Sequence, residues 1–200
     1  MKKDLRHLRP LFVLAILGLC IAGCTNVDNE IKKSTKEIRL DSIISTPLIN
    51  YNPLSEPGST NFNPTDRLAI HNLIQAYALT YDNYNIAAWL NLFTQDAVFV
   101  VGIPGEPAIE QSGETFRKFW LERGEQFKTS GNKRRHLMSN LVFMEENDTV
   151  AHVSIAGLLV NVKDKSELSV ISPLNYEGWF VKGKGVWKIK RWHDFPDRKF

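Results

Sequence analysis

Hydrophobic positions beyond residue 63 recur first at a helical and then at a strand period. Asn63 followed by Pro64 and Asp66 has the pattern of a helix start. An Asn side chain caps free N–H groups, Pro lacks the donor that would go unused, and an acid suits the positive helix end. Leu68, Ile70, Leu73, Ile74, Tyr77 and Tyr81 then fall at mostly three- and four-residue spacing, which predicts an amphipathic helix burying one face. Asp82-Asn83-Tyr84-Asn85 ends it. Ile86, Trp89, Leu90 and Phe93 predict a second, shorter helix, and Ala97 to Val101 a strand. Gly102 to Gly113, with Pro104 and Pro107, reads as a loop. Ser112 or Gly113 caps a third helix, whose stripe of Phe116, Phe119, Trp120, Arg123 and Phe127 is expected to pack into the core.

Beyond Gly131 the period changes. Strands are predicted at Arg135 to Glu145, Thr149 to Val162, Leu174 to Lys182 and Gly185 to His193. Glu146-Asn147-Asp148 and Lys182-Gly183-Lys184-Gly185 supply hairpin turns, because Asn, Asp and Gly tolerate positive φ. Three helices followed by long antiparallel strands imply an α+β fold.

The N-terminus has a different pattern. Lys2, Lys3, Arg6 and Arg9 precede an apolar run from Leu11 to Leu19, and Ile21-Ala22-Gly23-Cys24 follows. The run suits a signal peptide and is too short to span a bilayer. The whole resembles the leader of a bacterial lipoprotein precursor, which implies cleavage before Cys24 and lipidation of its thiol. Several acyl chains would then anchor the protein durably to the membrane. The expected compartment is the bacterial cell envelope, with Thr25 pointing to the outer rather than the inner membrane. Residues 25–63, rich in Asn, Ser, Thr and Lys, read as a flexible tether spanning roughly 30–35 Å. Three segments are therefore expected: a leader at 1–23, a lipidated Cys and tether at 24–63, and a domain at 64–200.

Composition narrows the function classes. The formal charge of +3 falls to zero once residues 1–23, with four Lys/Arg and one Asp, are removed. The mature chain thus lacks the basic footprint of a nucleic-acid binder. Cys20 and Cys24 are the only cysteines, so processing leaves none for a disulfide, a metal site or a nucleophile. Metallopeptidase, serine-hydrolase, dinucleotide and Walker signatures are missing from the sequence. Neither a metal nor a cofactor is expected.

The order of elements carries Asp-Arg-Leu-Ala-Ile-His-Asn-Leu-Ile-Gln-Ala-Tyr at residues 66–77, Leu-Phe-Thr-Gln-Asp-Ala-Val-Phe at 92–99 and Gly-Val-Trp-Lys-Ile at 185–189. Together these resemble the SnoaL-like members of the nuclear transport factor 2-like (cystatin-like) superfamily over roughly residues 64–195. The resemblance implies a cone in which a strongly curved antiparallel sheet wraps three N-terminal helices around an apolar pocket. Tyr81-Asp82 matches a Tyr-Asp pair found in several superfamily enzymes, including scytalone dehydratase, and His136 matches that enzyme's catalytic strand histidine. The implied catalytic set is Asp82, His136 and Tyr81. A carboxylate that holds an imidazole in one tautomer raises its basicity, so the ring can move a proton near neutral pH. Read without the family, Asp82 is equally a turn residue and His136 a hydrogen-bonded strand histidine. The dehydratase's second histidine corresponds here to Ser154, with His152 two residues away on the same face.

Asn140, two residue pairs along from His136, would share its face through Met138. Trp89, Phe99, Phe116, Trp120, Ser154 and Tyr176 complete the candidate substrate-binding residues, although aromatics at these spacings are also ordinary core. His193-Asp194 reads as a solvated strand end that could pair with Arg191, and His71 has no candidate partner. Three functions remain open: a cofactor-independent lyase or isomerase, a carrier of a small hydrophobic molecule, and an interaction module whose outer sheet face forms a homodimer or binds another lipoprotein.

Overall fold

The computed structural model describes residues 58, 60–163 and 166–199. The leader, Cys24 and most of the tether lie outside the described residues. The elements in order are α1 (Pro64–Asp82), α2 (Ile86–Leu90), β1 (Phe93–Val101), β2 (Ile109–Ser112), α3 (Gly113–Thr129), β3 (Asn132–Glu146), β4 (Val150–Lys163), β5 (Glu167–Gly183) and β6 (Val186–Pro196). The helix start behaves as its residues dictate, since the Asn63 side chain accepts from the Thr65 and Asp66 amides at 3.0 and 3.2 Å. Asn85 caps α2 in the same way through the Ala88 amide.

One six-stranded sheet runs in the order β2-β1-β6-β5-β4-β3. Neighbours are antiparallel except β1 and β6, which run parallel, so the sheet is mixed rather than wholly antiparallel. Helix α3 packs on β1 and β2 at one end of the sheet and on β3 at the other. One helix reaches both ends only because the sheet curls around it. The core inside that curl is aromatic, with Tyr77, Trp89, Phe99, Phe116, Tyr176, Phe180 and Trp192 all buried. Two strand glycines make room for it. A Cβ on Gly157 would lie 2.5 Å from the Tyr176 ring, and one on Gly178 would lie 2.7 Å from the Phe180 ring.

Some expectations need correction. Phe93 opens β1 instead of closing α2, and the expected loop contains β2, a short and mostly exposed edge strand whose residues have no burial period to read. Leu68 is 61% exposed and Phe119 43% exposed, so each sits beside its helix's buried stripe, not in it.

Candidate active site

Helix α1 delivers Asp82 to the first inward-facing stretch of β3, and two hydrogen bonds join them. The His136 amide donates to Asp82 Oδ2 at 2.9 Å, and His136 Nδ1 lies 2.6 Å from Oδ1. Both side chains are only 7% exposed. Arg135 adds a third tie, donating from Nη1 to the Asp82 carbonyl at 2.9 Å. A carboxylate can only accept, so Nδ1 carries the shared proton, and in the neutral ring it is Nε2 that holds the lone pair. The imidazole is ringed by phenols: Tyr81 lies edge-on at 5.1 Å, Tyr77 at 6.1 Å and Tyr176 at 6.5 Å between ring centroids. Tyr81 and Asp82, neighbours at the end of α1, thus both meet His136. Burial pushes the Tyr81 and Tyr77 hydroxyls above their ordinary pKa, so they remain protonated donors.

A further acid, taken from the sequence as a solvated strand end, turns into the same interior. Asp194 does not pair with Arg191. That arginine donates from Nε to His193 Nε2 at 2.6 Å and from Nη2 to Glu110 at 3.1 Å on the outer face of the sheet. Two residues from Trp192 on β6, Asp194 shares that residue's inward face and accepts from its indole Nε1 at 2.7 Å. Burial pushes the Asp194 carboxyl up to about 7, with the Trp192 bond offsetting part of the rise. The residue nevertheless keeps partial contact with solvent. Its charge also acts on Tyr77, Tyr81 and Tyr176, raising all three. Tyr77 links the two sites, stacked at 4.4 Å on Trp192 and edge-on to His136.

The remaining candidates divide into two groups. Trp89, Phe99, Phe116 and Tyr176 are at most 1% exposed, and Trp120 is half-buried against them. Trp120 packs 5.3 Å from Trp89 and 5.6 Å from Tyr81, and neither indole N–H has an acceptor. Asn140 and Ser154 lie elsewhere. A bulge between Ser139 and Val142 breaks the two-residue alternation, and Asn140 sits there exposed with φ +47°, off the His136 face. Ser154 lies on the outer face, donating to Glu177 at 2.8 Å, while His152 meets the same carboxylate at 2.6 Å. The inward residues of β4 beside it, Val153 and Ile155, are apolar and fully buried. Neither Ser154 nor His152 therefore supplies a second polar group on the His136 face. Asp194, reaching in from β6, is the group that sequence reading missed. The alternation of buried Trp192 with His193 was the available signal.

A pocket of about 400 Å³ opens away from these groups, at the start of α1, between Asn63, Asp66, Glu146 and Trp187. Two of its three acids are already engaged. Asp66 binds Lys182 Nζ at 2.8 Å and Trp187 Nε1 at 2.9 Å, while Glu146 binds Arg67 at 2.8 Å. Burial alone would raise the Asp66 pKa, but these partners hold it below the ordinary value. The pocket is thus walled by a structural clamp and lies apart from the buried titratable groups around His136.

Fold and site together define a helix-filled, curled-sheet domain with ionisable groups on its inner face. The SnoaL-like domain model matches residues 64–193, and the chain belongs to that family. Solved structures agree on the fold. The β subunit of a provisionally assigned aromatic-ring-hydroxylating dioxygenase from Novosphingobium aromaticivorans aligns with TM-score 0.59 and 17% identity, over 68% of this chain and 92% of its own. A protein from the same organism, provisionally assigned as a scytalone dehydratase, aligns with TM-score 0.56 and 22% identity, over 68% and 87%. A Catenulispora acidiphila protein solved in complex with S-DNPA aligns with TM-score 0.55 and 17% identity, over 68% and 96%. No curated protein matches the chain significantly.

Proposed function

We propose that the domain binds a small, mostly apolar organic molecule inside the cone and moves a proton on it, as a cofactor-independent isomerase or lyase. The observation that carries this reading is one interior holding a carboxylate-braced imidazole and a carboxyl whose pKa is raised to about 7. Such a pair can work on a carbonyl compound. His136 Nε2 takes a proton from the carbon beside the carbonyl, and the C–H electron pair becomes a C=C bond. Asp194 gives its proton to the carbonyl oxygen. Asp194 then recovers its proton from the enol oxygen. Delivery of the His136 proton to a different carbon isomerises the molecule, whereas its delivery to a hydroxyl on the carbon next to the deprotonated one expels water and dehydrates it. Tyr81 assists as a hydrogen-bond donor, and Asp82 keeps the imidazole in the basic tautomer. Substrate-binding roles for Trp89, Phe99, Phe116, Trp120 and Tyr176 belong to this proposal as the aromatic wall.

A screen of small cyclic ketones and hydroxyketones supplies the test. Once a substrate is found, Asp82→Asn and His136→Ala should each lower kcat by about 10²–10⁴-fold with folding retained. The double variant should cost scarcely more than either alone, because the two act as a unit. Normal ligand binding with no turnover by the wild type would instead make the domain a carrier. Anchoring at the envelope through lipidated Cys24 is part of the same proposal. Cys24→Ser should release the protein from membrane fractions, and an unchanged membrane fraction would refute the anchor.

A further inference from the structure

Two arginines stand at the Tyr81 side of the interior without a counter-ion. Arg123 on α3 and Arg134 on β3 hold their guanidinium carbons 4.5 and 4.3 Å from the centre of the same Phe127 ring. Phe127 is 6.4 Å from Tyr81, which is 5.1 Å from His136. Arg134 lies two residues before His136, so the strand period sets both side chains on the inner face. Among the described residues, no carboxylate forms an ion pair with either arginine. Arg123 reaches only the neutral Gln126, at 3.2 Å.

That arrangement is costly by itself. Two like charges lie against one aromatic ring, and Arg134 is largely withdrawn from water, so burial and the charge of Arg123 both lower its pKa. The neighbouring Tyr81 hydroxyl acts the other way and raises it. Cation–π contact with Phe127 recovers part of the cost, but a ring shared between two cations cannot neutralise them. An anion reaching both guanidinium groups would. The planar guanidinium fork matches a carboxylate through paired, charge-assisted hydrogen bonds.

We infer that Arg123 and Arg134 form a carboxylate-binding subsite, so that the molecule processed beside His136 is a small organic acid held by its carboxylate at the Tyr81 side. This inference rests on the cone-binding reading above. It makes Arg134 a specificity residue that seats the ligand, with Tyr81 between the subsite and the imidazole.

The experiment uses the full chain in detergent, with 1-naphthoate and its neutral isostere 1-naphthamide as probes and tryptophan fluorescence as the readout. Naphthoate should bind at least tenfold tighter than naphthamide, with the advantage shrinking as salt is raised. Arg134→Gln and Arg123→Gln should each remove most of that advantage while leaving the naphthamide Kd unchanged, and Arg134→Lys should restore only part of it. Unchanged naphthamide binding shows that the variants are folded. Equal binding of the two probes by wild type, or naphthoate binding untouched in both Gln variants, overturns the subsite and leaves the cone reading standing. Failure of both probes to bind overturns both.

Discussion

Asp194 shows how burial sets chemistry at a single residue. A carboxyl in water titrates near 3.8, but inside the sheet it keeps its proton up to about 7. The same placement has a stability consequence with a definite sign. Below about 3.8 the group is protonated in both folded and unfolded chains, so it adds no pH dependence. As the pH rises toward 7 the unfolded chain loses the proton while the native state keeps it, so stability falls, and the full cost is present above that pH. Asp194→Asn keeps an acceptor for the Trp192 indole and removes the charge. It should stabilise the protein by about 2–4 kcal/mol at pH 8, the lower end allowing for solvent contact, and by almost nothing at pH 4. Thermal melts of the two proteins at both pH values would check this, and a variant less stable at pH 8 would contradict it. His193, next along the strand, responds oppositely. Burial and the adjoining Arg191 charge push it down to about 4, so it is neutral under ordinary conditions and accepts the Arg191 hydrogen bond.

At the scale of elements, legibility followed periodicity. The cap of α1, its end at Asp82 and the burial of Tyr77 and Tyr81 follow from local pattern, which is why Asp82 could be placed from sequence. His136 lies ahead of any irregularity in β3, so the strand position implied by the family resemblance is kept. Asn140 and Ser154 were misplaced for different reasons. Asn140 falls in a bulge, where one extra residue changes which face each side chain meets. Ser154 has the correct strand but the wrong face, because a family correspondence shifted by one residue turns a side chain over. Buried Val153 and Ile155 flank it and carry the inward pattern. The Asp194 side chain was assigned to solvent because the charges beside it, Arg191 and His193, belong to the other face, while its own partner is a tryptophan indole on the same strand.

For the whole molecule, the curl of the sheet is what turns separate residues into a site. Asp82 ends a helix, His136 starts β3 at one end of the sheet and Asp194 lies on β6 beside β1 toward the other, and only closure around α1 and α3 faces them to one interior. Sequence order and motifs were sufficient for the fold, whereas the composition of the interior needed the register of four long strands. The central claim is that this interior holds a working acid and base rather than inert packing. Carboxyl-carbon NMR of ¹³C-labelled Asp in the full chain, assigned with Asp194→Asn, tests it most directly. The account predicts that the Asp194 signal titrates with a midpoint about 7 and shifts when 1-naphthoate binds. A midpoint near the ordinary 3.8, with no response to ligand, would leave the site without its acid and contradict the account.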